Sequence, residues 1–498
     1  MKRLLPILLA GLVCLTACTA KLPANTVSTA TTVSSSENSS NTPTEVDFSP
    51  LFAPKDRNKG AHETPMTPDG KYVTGNYTTV DAETVQKYPR LTNQATLYLE
   101  FPDGKDLSSV RHRQYSPATY TFVDEYVEDS YYNLPLQIKG RGNASWNLKQ
   151  KAYAFKLDTK ADLMGMGAAK KWVLISVGSD MSMMRNYLTQ KLAAAMGLPY
   201  TCENEYVDVV VNGEYKGTWV LTEKIQIHEE RINISEDTGV LFEIEMVYRH
   251  TCDTCIVLHE NKSEPQYSVH LTLQEYKGKD IDDMTSREKT TAKTELQAYF
   301  DPLNKAIYNT RSTIDELSQY IDIDSFVNWY LLNELTRNYD SKFVTSCYCF
   351  IGDDGKLYMG PVWDFDSCYG NQSEVVLGYH VKSAPWYTAL LNNSAFKELC
   401  DKRWTEIRDN GLLDAFYNAI GQTAIRIAQS EKLNHTLYPT VAYRNEPFDD
   451  AVAYFESWLT TRIQWMDGEF LLPNSPSYTP PVTTPPKTSR PRPTQRVN

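Results

Sequence analysis

The sequence predicts an α+β fold in which a strand-rich N-terminal part, about 90–245, precedes a helical C-terminal part, about 285–470. Three observations predict it. Short alternating runs broken by turn residues fill the first stretch, apolar residues at helical spacing fill the second, and one short hairpin interrupts the helices. The chain has 498 residues, 41% of them hydrophobic, enough for a large core and too many for one small domain.

The strands come first. Residues 95–101 alternate apolar and polar, and a Pro-Asp-Gly turn follows them. Segments 134–140, 152–157, 172–177, 206–211 and 218–222 read as further strands, and Asn212-Gly213 between the last two is a two-residue hairpin signal. A single helix is inserted at 182–196, where positions 183, 184, 187, 188, 192, 195 and 196 are apolar; Gly197 and Pro199 stop it.

From about 285 the period changes to 3.6. Segment 287–300 reads as a helix, and Asp301-Pro302 as the cap and first position of a new turn running to Tyr308. Segments 314–321, 325–335, 393–411, 413–431 and 448–469 follow, with Asp322 and Asp324 where acids suit a helix start. The hairpin pairs 347–351 with 356–362 across Asp353-Asp354-Gly355. No fixed-period repeat is visible, so a solenoid is not expected.

The ends differ from the body. Met1-Lys2-Arg3, the apolar run 4–13 and Leu15-Thr16-Ala17-Cys18 form a charged, an apolar and a small-residue cleavage region in order. Together they resemble a bacterial lipoprotein signal, residues 1–18, with Cys18 as the lipidated residue. The run is too short to span a bilayer, and no later stretch reaches the roughly 20 apolar residues a span needs. The expectation is an extracytoplasmic body, tethered to the bacterial cell membrane by its lipid. Residues 19–65, rich in Ser and Thr at their start, read as a disordered stalk before a domain at 66–472. The tail 473–498 is rich in Pro and Thr and carries Lys487, Arg490, Arg492 and Arg496 without an acid. It reads as a linker, or as a contact with anionic cell wall or lipid.

A formal charge of −12 argues against nucleic acid as a partner, because such proteins present a basic surface to phosphates. Once Cys14 leaves with the signal and Cys18 is lipidated, seven cysteines remain. Cys252 and Cys255 form a CxxC, and Cys347 and Cys349 a CxC. A local 252/255 disulfide or surface thiols are expected before a zinc site, which would normally repeat the CxxC spacing.

Three constellations carry candidate chemistry. Lys139-Gly-Arg-Gly-Asn-Ala-Ser-Trp146 leads into the basic run Lys149-Gln-Lys151; two glycines around Arg141 suit either a tight turn or the close approach of an anion. Lys156 lies in the following strand beside small residues, pointing into a cleft or simply exposed. Asp340 ends Asn333-Glu-Leu-Thr-Arg-Asn-Tyr-Asp340, and a hairpin returns the chain to Trp363-Asp364-Phe365-Asp366. The three acids can therefore converge, as a hard cation requires, or remain solvated at turns.

The blocks "GRGNASWNLKQKAYAFKL", "RNYLTQKLAAAMGLPY", "YVDVVVNGEYKGTWVLTEKI" and "NYDSKF…GKLYMGPVWDFD", in this order, resemble the CotH kinase family, named for spore coat protein H, over roughly 90–470. The resemblance implies an atypical protein-kinase-like, two-lobed fold. It also implies transfer of phosphate from ATP, with a divalent metal such as Mg2+, to Ser or Thr of a protein substrate. By motif, Asp340 would be catalytic, orienting or deprotonating the acceptor hydroxyl, and Asp364 with Asp366 would hold the metal. Lys156 and Arg141 would meet the phosphates, Glu223 would pair with Lys156, and Trp363 would stack on adenine or brace its loop. The helix around Arg185 and Asn186 holds no acid to pair with that lysine, and no strict GxGxxG, HRD or DFG is present.

Function is accordingly read as an exported, membrane-anchored kinase of Ser/Thr-rich surface or coat proteins. The alternative is a non-catalytic surface or coat-assembly protein on the same fold, which the stalk and tail would suit. A glycan hydrolase is disfavoured: Asp364 and Asp366 are too close in sequence to oppose each other across a sugar ring.

Overall fold

The computed structural model describes residues 46–55, 66–246, 255–473 and 475–477. Helix α1 (Ser49–Phe52), the small hairpin β1 (Tyr72–Val73) and β2 (Thr79–Val80), and α2 (Ala82–Lys87) come first. Seven strands then follow: β3 (Ala95–Glu100), β4 (Ser116–Val123), β5 (Tyr131–Arg141), β6 (Ala152–Ala161), β7 (Ala169–Ile175), β8 (Asn204–Val211) and β9 (Glu214–Glu223), with α3 (Arg185–Ala195) between β7 and β8.

These seven close into a barrel in the order β3-β4-β5-β6-β7-β9-β8. Neighbours are antiparallel except β3 and β8, which run parallel. The barrel is small enough for side chains to fill it, and alternation supplies them: Leu97, Phe122, Ile138, Phe155, Trp172 and Trp219 all lie in one buried cluster.

A second sheet contains β10 (Val240–Met246), β11 (Ile256–His259), β12 (Val269–Tyr276), β13 (Lys279–Asp280), β14 (Cys347–Ile351) and β15 (Leu357–Met359). Its order is β11-β12-β10-β14-β15, with β13 on β12. Helices α4 (Ser286–Tyr308), α5 (Ile314–Leu317), α6 (Ile323–Thr336), α7 (Pro385–Leu390), α8 (Ser394–Asp409), α9 (Leu412–Leu437) and α10 (Phe448–Phe470) complete the C-terminal part. Phe242 and Ile244 of the second sheet pack on this helical core, which α3 also joins through Tyr187 and Leu188. Leu241 and Phe350, of opposite alternation, pack instead with Val173 from the outer wall of the barrel. The fold is thus α+β, strand-rich first and helical second, as the sequence predicts.

Several expectations need correction. The hairpin among the helices is not isolated: β14 pairs with β10, Leu241 opposite Phe350, which ties it to the strand-rich part. Asp301 and Pro302 do not start a new turn, because α4 runs through both. Pro302 withholds a hydrogen bond only from the carbonyl of Ala298, which is exposed, so water can replace it. The stalk does not extend to 65, since Phe52 is 3% exposed and its ring lies 5.6 Å from that of Phe416. The described cysteines are not surface thiols: Cys202, Cys255, Cys347, Cys349, Cys368 and Cys400 are buried.

Residues 1–45, with Cys18, lie outside the described residues, as do Cys252 and 478–498. No described helix is long and apolar enough to cross a membrane.

Candidate functional site

Asp340 sits in the turn that follows α6. That helix ends at Arg337, whose φ of 48° is left-handed, and Asn338 then accepts from the Asp340 backbone N–H at 3.2 Å. The turn is anchored from below. Glu334 of α6 accepts from the backbone N–H of His380 at 2.8 Å and of Val381 at 3.1 Å, and the His380 ring pairs with the carbonyl of Asn338 at 2.7 Å. Arg462 of α10 completes the anchor: its Nη2 lies 3.4 Å from Glu334 Oε2, and both side chains are fully buried.

Strand β15 leads into the loop carrying Asp364 and Asp366. Asp364 is left-handed at φ 68°, a conformation that acids tolerate better than most residues, and its Oδ2 accepts from Ser346 at 3.4 Å. Asp366 accepts from the Ser179 hydroxyl. Its carboxyl is pushed well above the usual carboxylate range, first by burial and then by Asp364, Asp180 and Asp340. The structure therefore brings Asp340, Asp364 and Asp366 together. Sequence reasoning did not include Asp180, which is ion-paired to Arg185. It also missed Tyr443, from the connection between α9 and α10, whose hydroxyl is pushed up by burial and by the three predicted acids.

Helix α3 holds this loop with one polar stripe. Asn186 accepts from the Phe365 N–H at 2.6 Å, and Gln190 donates to the Val362 carbonyl at 2.8 Å. Arg185 donates to the Cys368 carbonyl at 3.0 Å, and Thr189 meets the Tyr369 hydroxyl at 3.0 Å. Residues 185, 186, 189 and 190 fall on one helical face because side chains four apart stack. All four residues are buried. Asn371 closes the other side, donating to the carbonyls of Ser179 at 2.8 Å and Asp366 at 2.5 Å.

Arg141, at the end of β5, reaches the same place: its guanidinium lies 5.2 Å from the Trp363 ring centre. Trp363 is 5% exposed and packs with Val173, Leu241 and Phe350. The ring braces the loop and carries Arg141, which favours bracing over adenine stacking. The glycines beside Arg141 answer a packing need. A Cβ at Gly140 would fall 2.1 Å from the Trp146 ring, and Gly142 adopts φ 83°.

Lys156 and Glu223 are not brought together. Alternation in β6 sends Phe155 and Leu157 into the barrel and leaves Lys156 exposed outside, opposite Lys171. There it lines a groove of about 350 Å³ with Lys160, Lys170 and Lys171. Glu223 has the inward alternation of Trp219 and Leu221, and pairs with buried Arg231 at 2.6 Å. Its carboxylate also accepts from Tyr200 and from the Glu203 N–H at 2.9 Å. Burial pushes the Glu223 carboxyl up to about 7, with Arg231 opposing. The two lie on opposite faces of the barrel wall, so the pair expected from the sequence does not form.

Among the described residues no group of three His, Cys, Asp or Glu side chains is set to hold a metal ion by itself. No curated protein shows significant similarity to the chain. The family model of the CotH kinase protein matches residues 138–466, beginning within β5 and ending within α10. Two barrel strands, β3 and β4, precede the match, but it contains Arg141 and every member of the acid cluster, and spans well over half the chain. The chain belongs to the CotH kinase protein family.

Proposed function

We propose that the chain is a CotH-type protein kinase with a two-lobed, kinase-like arrangement, transferring the γ-phosphoryl group of ATP to Ser or Thr hydroxyls with a divalent metal. One observation carries this reading: acids from separate segments, Asp340 and the 364–366 pair, meet in one cluster beside the guanidinium-bearing end of β5. Phosphoryl transfer asks mainly for positioning and charge neutralisation, and these groups supply both.

The donor set fits a hard cation. Asp364 and Asp366 offer oxygen only, and Asp364 raises the Asp366 carboxyl, a repulsion that a divalent ion held by these residues would relieve. Magnesium commonly takes one or two carboxylates and completes its shell with phosphate oxygens and water. Bound there, Mg2+ would neutralise charge on the phosphates. Asp340 accepts the proton of the acceptor hydroxyl as that oxygen attacks the γ-phosphorus and ADP leaves. Arg141 pairs with phosphate oxygens. Lys139, two residues earlier on the same face of β5, suits the phosphate lysine better than Lys156, whose groove contains none of these acids. Asn186, Gln190 and Asn371 hold the loop that carries both carboxylates.

The leader with Cys18 supports an exported, lipid-anchored enzyme whose substrates are Ser/Thr-rich surface or coat proteins. Equilibrium binding of an ATP analogue to the full chain tests the site. Binding should require Mg2+ and weaken at least tenfold in Asp364→Asn; wild-type protein that binds no nucleotide at any Mg2+ concentration would refute the reading.

A further inference from the structure

Two residues beside the acid cluster hold a backbone that suits glycine. Asp364 has a φ of 68° and Ser346 a φ of 56°, and the two meet: the Ser346 hydroxyl donates to Asp364 Oδ2 at 3.4 Å. Glycine adopts this left-handed region at no steric cost, whereas the Cβ of a serine is crowded there by its own backbone. Such residues persist where their surroundings over-determine them, and they concentrate at functional sites.

The surroundings of Ser346 are specific. It lies between the Asp340 turn and β14, one residue before Cys347 pairs with Ile244 of β10. From β10, Glu243 Oε1 accepts from the Ser346 backbone N–H at 2.9 Å and from the Thr345 hydroxyl at 3.3 Å. Thr345 also donates to Glu245 at 3.0 Å. Earlier in the same segment, the Val344 N–H donates to the Asp340 carbonyl at 3.0 Å. One residue thus sends its N–H to Glu243 and its hydroxyl to Asp364. Glycine would serve the backbone bond alone, so what the strained serine adds is the hydroxyl.

We infer that Ser346 is a positioning residue of the acid cluster: Glu243 fixes its backbone, and its hydroxyl fixes the rotation of the Asp364 carboxylate, the group assigned to the metal. The inference rests on that assignment. Carboxylates that hold metals are themselves hydrogen-bonded, and losing such a partner typically weakens metal binding by about 10–100-fold.

Mn2+, which shares the oxygen preference of Mg2+, is titrated into the full chain and the free ion followed by electron paramagnetic resonance. Ser346→Gly removes the hydroxyl and relieves the backbone. It should weaken Mn2+ binding about tenfold or more, yet unfold at no lower denaturant concentration than the wild type. Glu243→Leu removes the acceptor of the Ser346 N–H and should weaken Mn2+ binding similarly, whereas Glu243→Gln, which keeps an acceptor oxygen, should recover most of that loss. The serine variant decides the matter if Glu243→Leu does not fold. Wild-type Mn2+ affinity in Ser346→Gly would overturn this inference alone. So would a loss of stability in that variant, which would make the hydroxyl structural, or a Glu243→Gln as weak as Glu243→Leu. Wild-type protein that binds no Mn2+ at millimolar concentration would instead remove the metal site itself, and the inference with it.

Discussion

Glu334 and Asp366 are both carboxylates set in the interior of the C-terminal half, but their neighbours differ in kind. Glu334 faces the Arg462 guanidinium and two backbone N–H groups, so its negative charge is met on every side. Glu223 in the barrel wall also faces a cation, Arg231, and a donor, Tyr200, although burial still raises its carboxyl. Asp366 meets one serine hydroxyl, while Asp364, Asp180 and Asp340 all disfavour its charge. Buried ion pairs of the first kind hold segments in register. Unrelieved repulsion of the second kind is retained where it serves chemistry, because folding alone would remove it.

That contrast can be broken experimentally, starting with the largest effect. Arg462→Leu leaves Glu334 buried without its cation and should cost about 3–5 kcal/mol in denaturant unfolding. Because Glu334 anchors His380 and the Asn338 turn, the same variant should also displace Asp340.

Glu223→Gln addresses the barrel pair. The folded protein holds this carboxyl protonated up to about 7, against an ordinary 4.5. Its contribution therefore favours the folded state fully below 4.5, declines as pH rises towards 7 and is flat beyond. Relative to the variant, wild-type stability should fall by up to about 3 kcal/mol across that window, measured as unfolding free energy against pH.

Asn186→Ala removes the acceptor for the Phe365 N–H and should cost about 1–2 kcal/mol, with a larger proportional loss of nucleotide binding than of stability. Asp366→Asn should go the other way. Relief of like-charge repulsion should stabilise the fold by about 1 kcal/mol while abolishing Mg2+-dependent binding. A loss of stability in this variant would erase the distinction between the two kinds of acid.

Much of this was legible in the sequence, for reasons specific to each element. Alternation and helical spacing located β3, the barrel strands from β5 to β9 and the long helices, because each buries one face. Strand β4 was harder to see, since Pro117 and several polar residues dilute its pattern. The second sheet was missed between 240 and 276, where acids such as Glu243 and Glu245 interrupt the apolar positions. The hairpin signal placed Asp340 near Asp364 correctly, because a strand pair must return the chain to its start. Lys156 and Glu223 could not be assigned this way: which side of a barrel wall a residue faces depends on closure, and β3 meets β8 more than 100 residues away. The role of the polar stripe of α3 was not legible for a similar reason. Arg185, Asn186 and Gln190 meet backbone groups of the 360–371 loop, and backbone leaves no trace in residue type.

The central claim is that Asp340 and Asp364 serve one reaction. The most direct measurement is Mg2+-dependent transfer of label from γ-labelled ATP to a Ser-rich protein, comparing the full chain with Asp340→Ala and Asp364→Asn. The account predicts transfer by the wild type and a loss of about 100-fold or more in each variant, with both folded by circular dichroism. Undiminished transfer by either folded variant would contradict it.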